Sequence, residues 1–333
     1  MKHANVSVFI PHLACRHKCV FCDQIKISGK KRAPSPAEAE GIIKRAVAGL
    51  KDGLSAEIAF FGGSFTAIPP DLMEAYLEAA SPFVDGVKVT GIRLSTRPDA
   101  ITPDILSTLK KYGVTDIELG AQSMFDDVLA MSNRGHTAAD TVRASRLIKE
   151  AGFRLGLQFM PGLPGDDPEK SLETAKIIAS LSPDAVRIYP TLVIKNTELC
   201  DMYERGDYKP YDLDTAVALA AKMYKLFTEK GIAVLRMGLH SDIDPADVVA
   251  GPYHPAFGEL VFSALYLEKM ESLASVGKRN PVFAVPAPDL SAALGQKKKN
   301  LIYLSEKFGA LTRIIPDNEG EIPDDAIRVS GVR

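Results

Sequence analysis

The sequence predicts an α/β chain: a partial (β/α)6-type barrel over residues 1–238, then a small α+β extension over residues 239–333. Two observations carry that prediction. Short apolar runs alternate with amphipathic stretches that open on helix-start signals, the pattern of βα units around a parallel sheet. Polar or glycine residues also recur at or just past the end of each apolar run: Cys15, Gly62, Thr96, Gln122, Gln158 and Tyr189. In βα barrels, sites are assembled from several loops at the C-terminal ends of the strands.

The elements follow in order. Val6–Ile10 reads as the first strand. Ser35-Pro36-Ala37-Glu38 opens a helix to about Leu50, with Ser as N-cap, Pro at the first turn and Glu reaching back. Glu57–Phe61 is the second strand, Pro69–Ala80 a helix and Gly91–Ser95 the third strand. Thr102-Pro103 caps a helix to Tyr112, and Thr115–Leu119 is the fourth strand. A long loop then leads to a capping box, Thr137 to Asp140, and a helix to Ala151. Phe153–Phe159 is the fifth strand, Asp167-Pro168 starts a helix to Leu181, and Ala185–Ile188 is the sixth strand. An amphipathic helix from Asp212 to Lys230 precedes Ile232–Arg236, a candidate seventh strand. In the extension, Glu259–Ser272 is helical in spacing, Pro281–Val285 and Leu311–Ile315 read as strands, and Gln296 opens a helix to Phe308.

Composition sets the class. With 46% apolar and 25% charged residues, 333 residues can bury a substantial core. A net charge of −2 advertises no global affinity for nucleic acid. No apolar run approaches the roughly 18–20 residues of a membrane span. Free cysteines, and an N-terminus that runs straight into the first strand, lead to the expectation of a reducing cytoplasm.

Cys15-Arg16-His17-Lys18-Cys19-Val20-Phe21-Cys22 follows the first strand in a C-x3-C-x2-C spacing. Three such thiolates can hold three irons of a [4Fe–4S] cube and leave the fourth open for chemistry. A zinc site completed by His12 or His17 is the competing reading. Cys200, 178 positions after Cys22, is expected to lie outside the set. At the second strand's end, Gly62-Gly63-Ser64 lets backbone approach a ligand or simply makes a tight turn.

The cysteine spacing, with an aromatic before its last cysteine, resembles the radical S-adenosylmethionine (SAM) superfamily. Within it, Gly62-Gly63-Ser64-Phe65-Thr66, Ser95-Thr96-Arg97-Pro98-Asp99, Asn133-Arg134-Gly135-His136-Thr137, Pro161-Gly162-Leu163-Pro164 and Tyr189-Pro190-Thr191-Leu192-Val193-Ile194 resemble the radical SAM domain of the Elongator catalytic subunit family. The resemblance covers roughly residues 5–238. It implies a radical SAM barrel, an enzyme with a [4Fe–4S] cluster on Cys15, Cys19 and Cys22, and reductive cleavage of SAM to a 5′-deoxyadenosyl radical that abstracts substrate hydrogen. It implies that Gly62, Gly63 and Ser64 meet the methionyl amine. Thr96, Gln122 and Gln158 then meet the ribose or carboxylate, Arg134 meets the carboxylate, and Phe21 packs near the adenine or in the core. Partners implied are a flavodoxin- or ferredoxin-like electron donor and tRNA. The chain departs from that family in its shorter first cysteine gap. After Gly238 only 95 residues follow (333 − 238), with no Gly-rich loop to cradle coenzyme A.

Two substrate classes therefore stand. Arg16, Lys18, Lys26, Lys30, Lys31 and Arg32 make the cluster loop basic, as an RNA substrate wants. A small molecule, enclosed by the extension with Tyr253 and His254, is the alternative, as is a non-catalytic metal-binding protein. Lys297-Lys298-Lys299 is either a solvated helix start or a phosphate contact, and His240 and His254 are either packed residues or ligands.

Overall fold

A computed structural model describes residues 2–11, 18–23, 26–27, 29, 32–51, 53–238, 243–274, 279–318, 320–323 and 326–332. Strand β1 (Lys2–Ile10) leads to helix α1 (Pro36–Ala48), β2 (Leu54–Gly62), α2 (Pro70–Ala80), β3 (Val89–Thr96), α3 (Pro103–Lys111) and β4 (Val114–Gln122). Next come α4 (Asp126–Met131), α5 (Ala138–Glu150), β5 (Arg154–Phe159), α6 (Pro168–Ser180) and β6 (Ala185–Ile188). The chain continues through β7 (Val193–Ile194), α7 (Glu198–Glu204), α8 (Leu213–Glu229), β8 (Ala233–Met237) and β9 (Val248–Ala250). It ends with α9 (Phe257–Ala274), β10 (Arg279–Pro286), α10 (Leu290–Leu294), α11 (Lys299–Phe308), β11 (Arg313–Asp317) and β12 (Arg328–Val332).

The helices start where their signals sit. Ser35 and Glu38 form a complete capping box on α1, and Thr137 and Asp140 another on α5. Thr102 and Asp167 accept backbone N–H groups at the starts of α3 and α6, each with proline in the first turn. The long loop expected after β4 contains α4, a short helix with Asp126 and Asp127 in its first turn.

Seven strands form one curled sheet in the order β1-β2-β3-β4-β5-β6-β8, parallel at every pairing. It is a half-barrel, and the Ile232–Arg236 run supplies its seventh strand as β8. Alternation along the strands gives it two unlike faces. Ile58, Phe60, Ile92, Leu94, Ile117, Leu119, Leu155 and Leu157 are buried on the face that packs against helices. Glu57, Arg93, Asp116 and Glu118, one residue out of phase, share the concave face.

Two compact units divide the chain: Met1–Asp212 with Met223–Tyr253, and Leu213–Lys222 with His254–Arg333. The second contains a three-stranded sheet, β11-β10-β12, with β11 parallel and β12 antiparallel to β10. Tyr266, Met270, Phe283, Val285, Leu304 and Ile314 form its core. Among the described residues no helix is long and apolar enough to cross a membrane.

Candidate functional site

Of the cysteine motif, Cys19 and Cys22 are described; Cys15 lies outside the described residues, with His12, Arg16, His17, Lys30, Lys31 and His240. Cys22 N donates to Cys19 O at 3.1 Å, so the C-x2-C pair sits on one tight turn. Cys19, Val20 and Phe21 are buried in an apolar cluster with Val128, Leu163, Val193, Leu199 and Tyr208. Phe21 thus packs in a core. Cys200 belongs to the same cluster, and its thiol donates to Glu204 Oε1 at 3.6 Å. Burial and that carboxylate raise the Cys200 pKa, which holds it as the thiol.

The basic loop carries less free charge than its composition implies. Lys26 donates to Asp247 Oδ1 and to Lys195 O, both at 3.0 Å. Arg32 grips Glu38 with two nitrogens at 2.7 and 2.6 Å and, with backbone bonding at Ser35, holds that carboxyl down near pKa 2.

The expected contacts collect at the C-terminal ends of β2, β3, β4 and β5. Gly62 has φ 116°, and a Cβ there would lie 2.9 Å from Ile10 O, so only glycine fits. The approach that demands it is to β1, since Gly63 N donates to Ile10 O at 2.9 Å. Ser64 and Thr96, both buried, bond to each other at 2.9 Å, and Ser64 Oγ also accepts from Arg97 N at 3.1 Å. These hydroxyls knit β3 to the turn.

The end of β4 is built differently. Gln122 has φ 65°, a left-handed conformation that costs a non-glycine residue about 1–2 kcal/mol. It sits at an irregularity in the β4–β5 ladder, where Met160 N donates to Gln122 O at 2.8 Å. Neighbouring Ala121 O accepts from Ser123 N at 2.8 Å and from His136 Nε2 at 3.2 Å. His136 is buried and flanked by Arg134 and Arg97, so its pKa falls to about 3; the ring is neutral with its proton on Nε2. Gly120 makes room here, since a Cβ would lie 2.7 Å from both Arg134 Nη2 and Gln122 Nε2. Arg134 donates from Nη2 to Gly120 O at 2.8 Å and from Nη1 to Cys19 Sγ at 3.5 Å.

Among the described residues, four buried polar atoms in and just after this strand end have no partner: Gln122 Oε1, Ser132 Oγ, Arg134 Nε and His136 Nδ1. Buried polar atoms are normally satisfied, so such a group marks space for ligand or water. An amide oxygen and a guanidinium N–H suit the hydroxyls and carboxylate of SAM, and Cys19 against Arg134, with Cys22 on the same tight turn, suits a cluster. The residues fit both groups.

Deeper on the concave face lies a charge lattice that the sequence reading did not identify. Arg93 donates to Glu57 at 2.8 Å, Asp116 at 2.8 Å and Glu118 at 2.9 Å. Arg154 pairs with Asp116 at 2.6 Å and also with Glu57. Arg187 holds Glu118 at 2.7 and 3.0 Å, and Gln158 Nε2 donates to Glu118 at 2.6 Å and to Ser95 Oγ at 3.3 Å. Burial opposes ionisation of Glu118, but Arg187, Arg93 and Gln158 together lower its pKa. Three carboxylates meet three guanidinium groups. Gln158, expected at SAM, spends its amide nitrogen on this lattice. Charged residues two apart on central strands, such as Asp116 and Glu118, were the available sign.

The family model of the radical SAM superfamily matches residues 9–178, and that of its C-terminal domain matches residues 183–266. The tRNA uridine(34) acetyltransferase of Methanocaldococcus jannaschii is 31% identical over 233 residues, covering 64% of this chain and 42% of that protein. Elongator complex protein 3 of Saccharomyces cerevisiae is 31% identical over 190 residues, covering 51% of this chain and 34% of its own. The chain therefore spans between a third and about two fifths of these relatives. The structure of Methanocaldococcus infernus Elp3 lacking its N-terminus superposes with a TM-score of 0.64 and 26% identity, over 81% of this chain and 63% of that one. With a family model matching half its length across the cysteine loop and the strand ends, the chain belongs to the radical SAM superfamily, and its cofactors are a [4Fe–4S] cluster and SAM.

Proposed function

We propose that this radical SAM enzyme abstracts hydrogen from a nucleoside of tRNA. The observation that supports the substrate is the match, over 64% of the chain, to a protein named for acting on tRNA uridine(34). Acetyl transfer is not carried over, because the aligned part is a minority of that relative. When bound and reduced by an external one-electron donor, cluster and SAM together supply a 5′-deoxyadenosyl radical; a flavodoxin- or ferredoxin-like protein is the proposed donor.

The chain's own groups have separable proposed tasks. Cys15, Cys19 and Cys22 hold the cluster. The Gly62-Gly63-Ser64 turn offers backbone to the methionyl amine, and Thr96 shapes its wall. Gln122 Oε1 accepts from a ribose hydroxyl, with Gln158 beside it, and Arg134 Nε meets the carboxylate. Phe21 anchors the loop carrying two ligands. Replacing any of the three cysteines by Ala should abolish cluster binding in anaerobic reconstitution, while Cys200→Ala should retain about four irons per chain.

The substrate is tested by tRNA binding against salt. Phosphate contacts release counterions, so affinity should fall steeply as salt rises, and charge reversal at Lys18, Lys30 and Lys31 should flatten the slope. Absence of binding at low salt would remove the RNA reading. A small-molecule substrate is the second reading, supported by the ion pairs that already neutralise Lys26 and Arg32.

A further inference from the structure

The turn Ser132-Asn133-Arg134 closes on the cysteine loop at three consecutive residues. Asn133 Nδ2 donates to Lys18 O at 3.0 Å, Arg134 Nη1 to Cys19 Sγ at 3.5 Å, and Val20 N to Ser132 O at 3.2 Å. From the other side, Leu199 N donates to Val20 O at 2.8 Å. The turn is itself anchored: Asn133 N donates to Ala130 O at 3.0 Å and Arg134 N to Leu129 O at 2.9 Å, both at the end of α4. Asn133 holds φ 50°, the left-handed region that asparagine enters more readily than most residues. Arg134 Nη2 bonds Gly120 O at 2.8 Å, so one guanidinium ties Cys19 to the end of β4. Among the described residues its Nε has no partner, and the proposed function assigns it to the SAM carboxylate.

We propose that Asn133 and Arg134 are positioning residues for Cys19: Asn133 fixes the loop backbone, and Arg134 donates a charged hydrogen bond to the sulfur. A donor at a ligating sulfur stabilises the more negative, reduced cluster and so raises its potential. The inference rests on Cys19 being a ligand. Iron content of Cys19→Ala tests that separately, and a retained cluster of four irons would overturn both.

Two measurements on the full chain test the proposal. In iron-free protein, Asn133→Gly removes the carboxamide without a left-handed penalty. Amide exchange over residues 18–22 should then quicken roughly threefold to tenfold, the span of one hydrogen bond's net worth. In reconstituted protein, Arg134→Gln should shift the cluster's midpoint, followed by electron paramagnetic resonance, to more negative potential. The expected change is about tenfold in the reduced fraction, or ~59 mV for one electron. Arg134→Lys, which keeps the charge, should recover most of it. Unchanged exchange in Asn133→Gly, or an unchanged midpoint in Arg134→Gln, would overturn the proposal.

Discussion

Glu118 and Gln122 lie four positions apart on β4, on the same concave face, and meet opposite circumstances. Glu118 is 1% exposed and both its oxygens accept from neighbours on β3, β5 and β6. Gln122 is half-buried in a left-handed conformation, with a carboxamide oxygen that has no partner among the described residues. In the lower lattice three carboxylates pair with three guanidinium groups, and Gln158 adds a further donor to Glu118. The upper end is strained and incomplete. Burying a charge is costly unless it is paired, so the lower level persists only as a closed set. Unmet hydrogen bonds at the strand end nearest Cys19 are affordable where a ligand completes them. The first level thus maintains the half-barrel's interior, and the second is where the proposed cofactor contacts lie.

The largest expected effect breaks the lower level. Glu118→Gln leaves Arg93 and Arg187 under-compensated and should destabilise the fold by about 3–5 kcal/mol, read from the urea midpoint. A midpoint equal to that of the unsubstituted chain would dissolve the distinction between the two levels.

His136 sharpens the comparison through pH. Its folded pKa of about 3 lies below the ordinary value of 6.5, so between these values the unfolded chain binds the extra proton. Its contribution is full above pH 6.5 and is lost as pH falls towards 3, by up to ~1.4 kcal/mol per unit. His136→Gln keeps a donor for Ala121 O but cannot titrate, and should flatten stability against pH in that window. A slope as steep as before would place the sensitivity elsewhere.

At the upper level, Gln122→Ala should weaken SAM binding about tenfold in equilibrium dialysis of reconstituted protein, the scale of one hydrogen bond. Its urea midpoint should move by less than about 1 kcal/mol, because no buried partner is orphaned. A large loss of stability with intact SAM affinity would make Gln122 part of the scaffold. The smallest effect is a gain: Gln122→Gly relieves the left-handed strain and should stabilise the ligand-free chain by about 1 kcal/mol.

Much of the architecture was legible because its signals are local. Ser35 with Glu38 and Thr137 with Asp140 are capping boxes within one helical turn, and both helices begin where these residues stand. The six strands and the candidate seventh were visible as apolar runs. The two-residue β7, the helix α7 and the strand β12 were not, since each is short and held by partners distant in sequence. α4, hidden in an expected loop, likewise ends in the turn that grips the cysteine loop.

The sequence by itself determined the chemistry available: three cysteines at a cluster spacing, glycine turns after strands and an arginine in the loop after β4. Their order along the chain was enough to mark the strand ends as the expected site. Only the tertiary structure decided which polar groups are already engaged. Gln158 and Gln122 are the same residue type at equivalent strand ends, yet one is bonded to Glu118 and Ser95 and the other has an acceptor without a partner among the described residues. Lys26 and Arg32 read as free charge until Asp247 and Glu38 meet them. The physical reason is that residue type and position set a group's capacity to bond, whereas its satisfaction depends on partners up to 221 residues away.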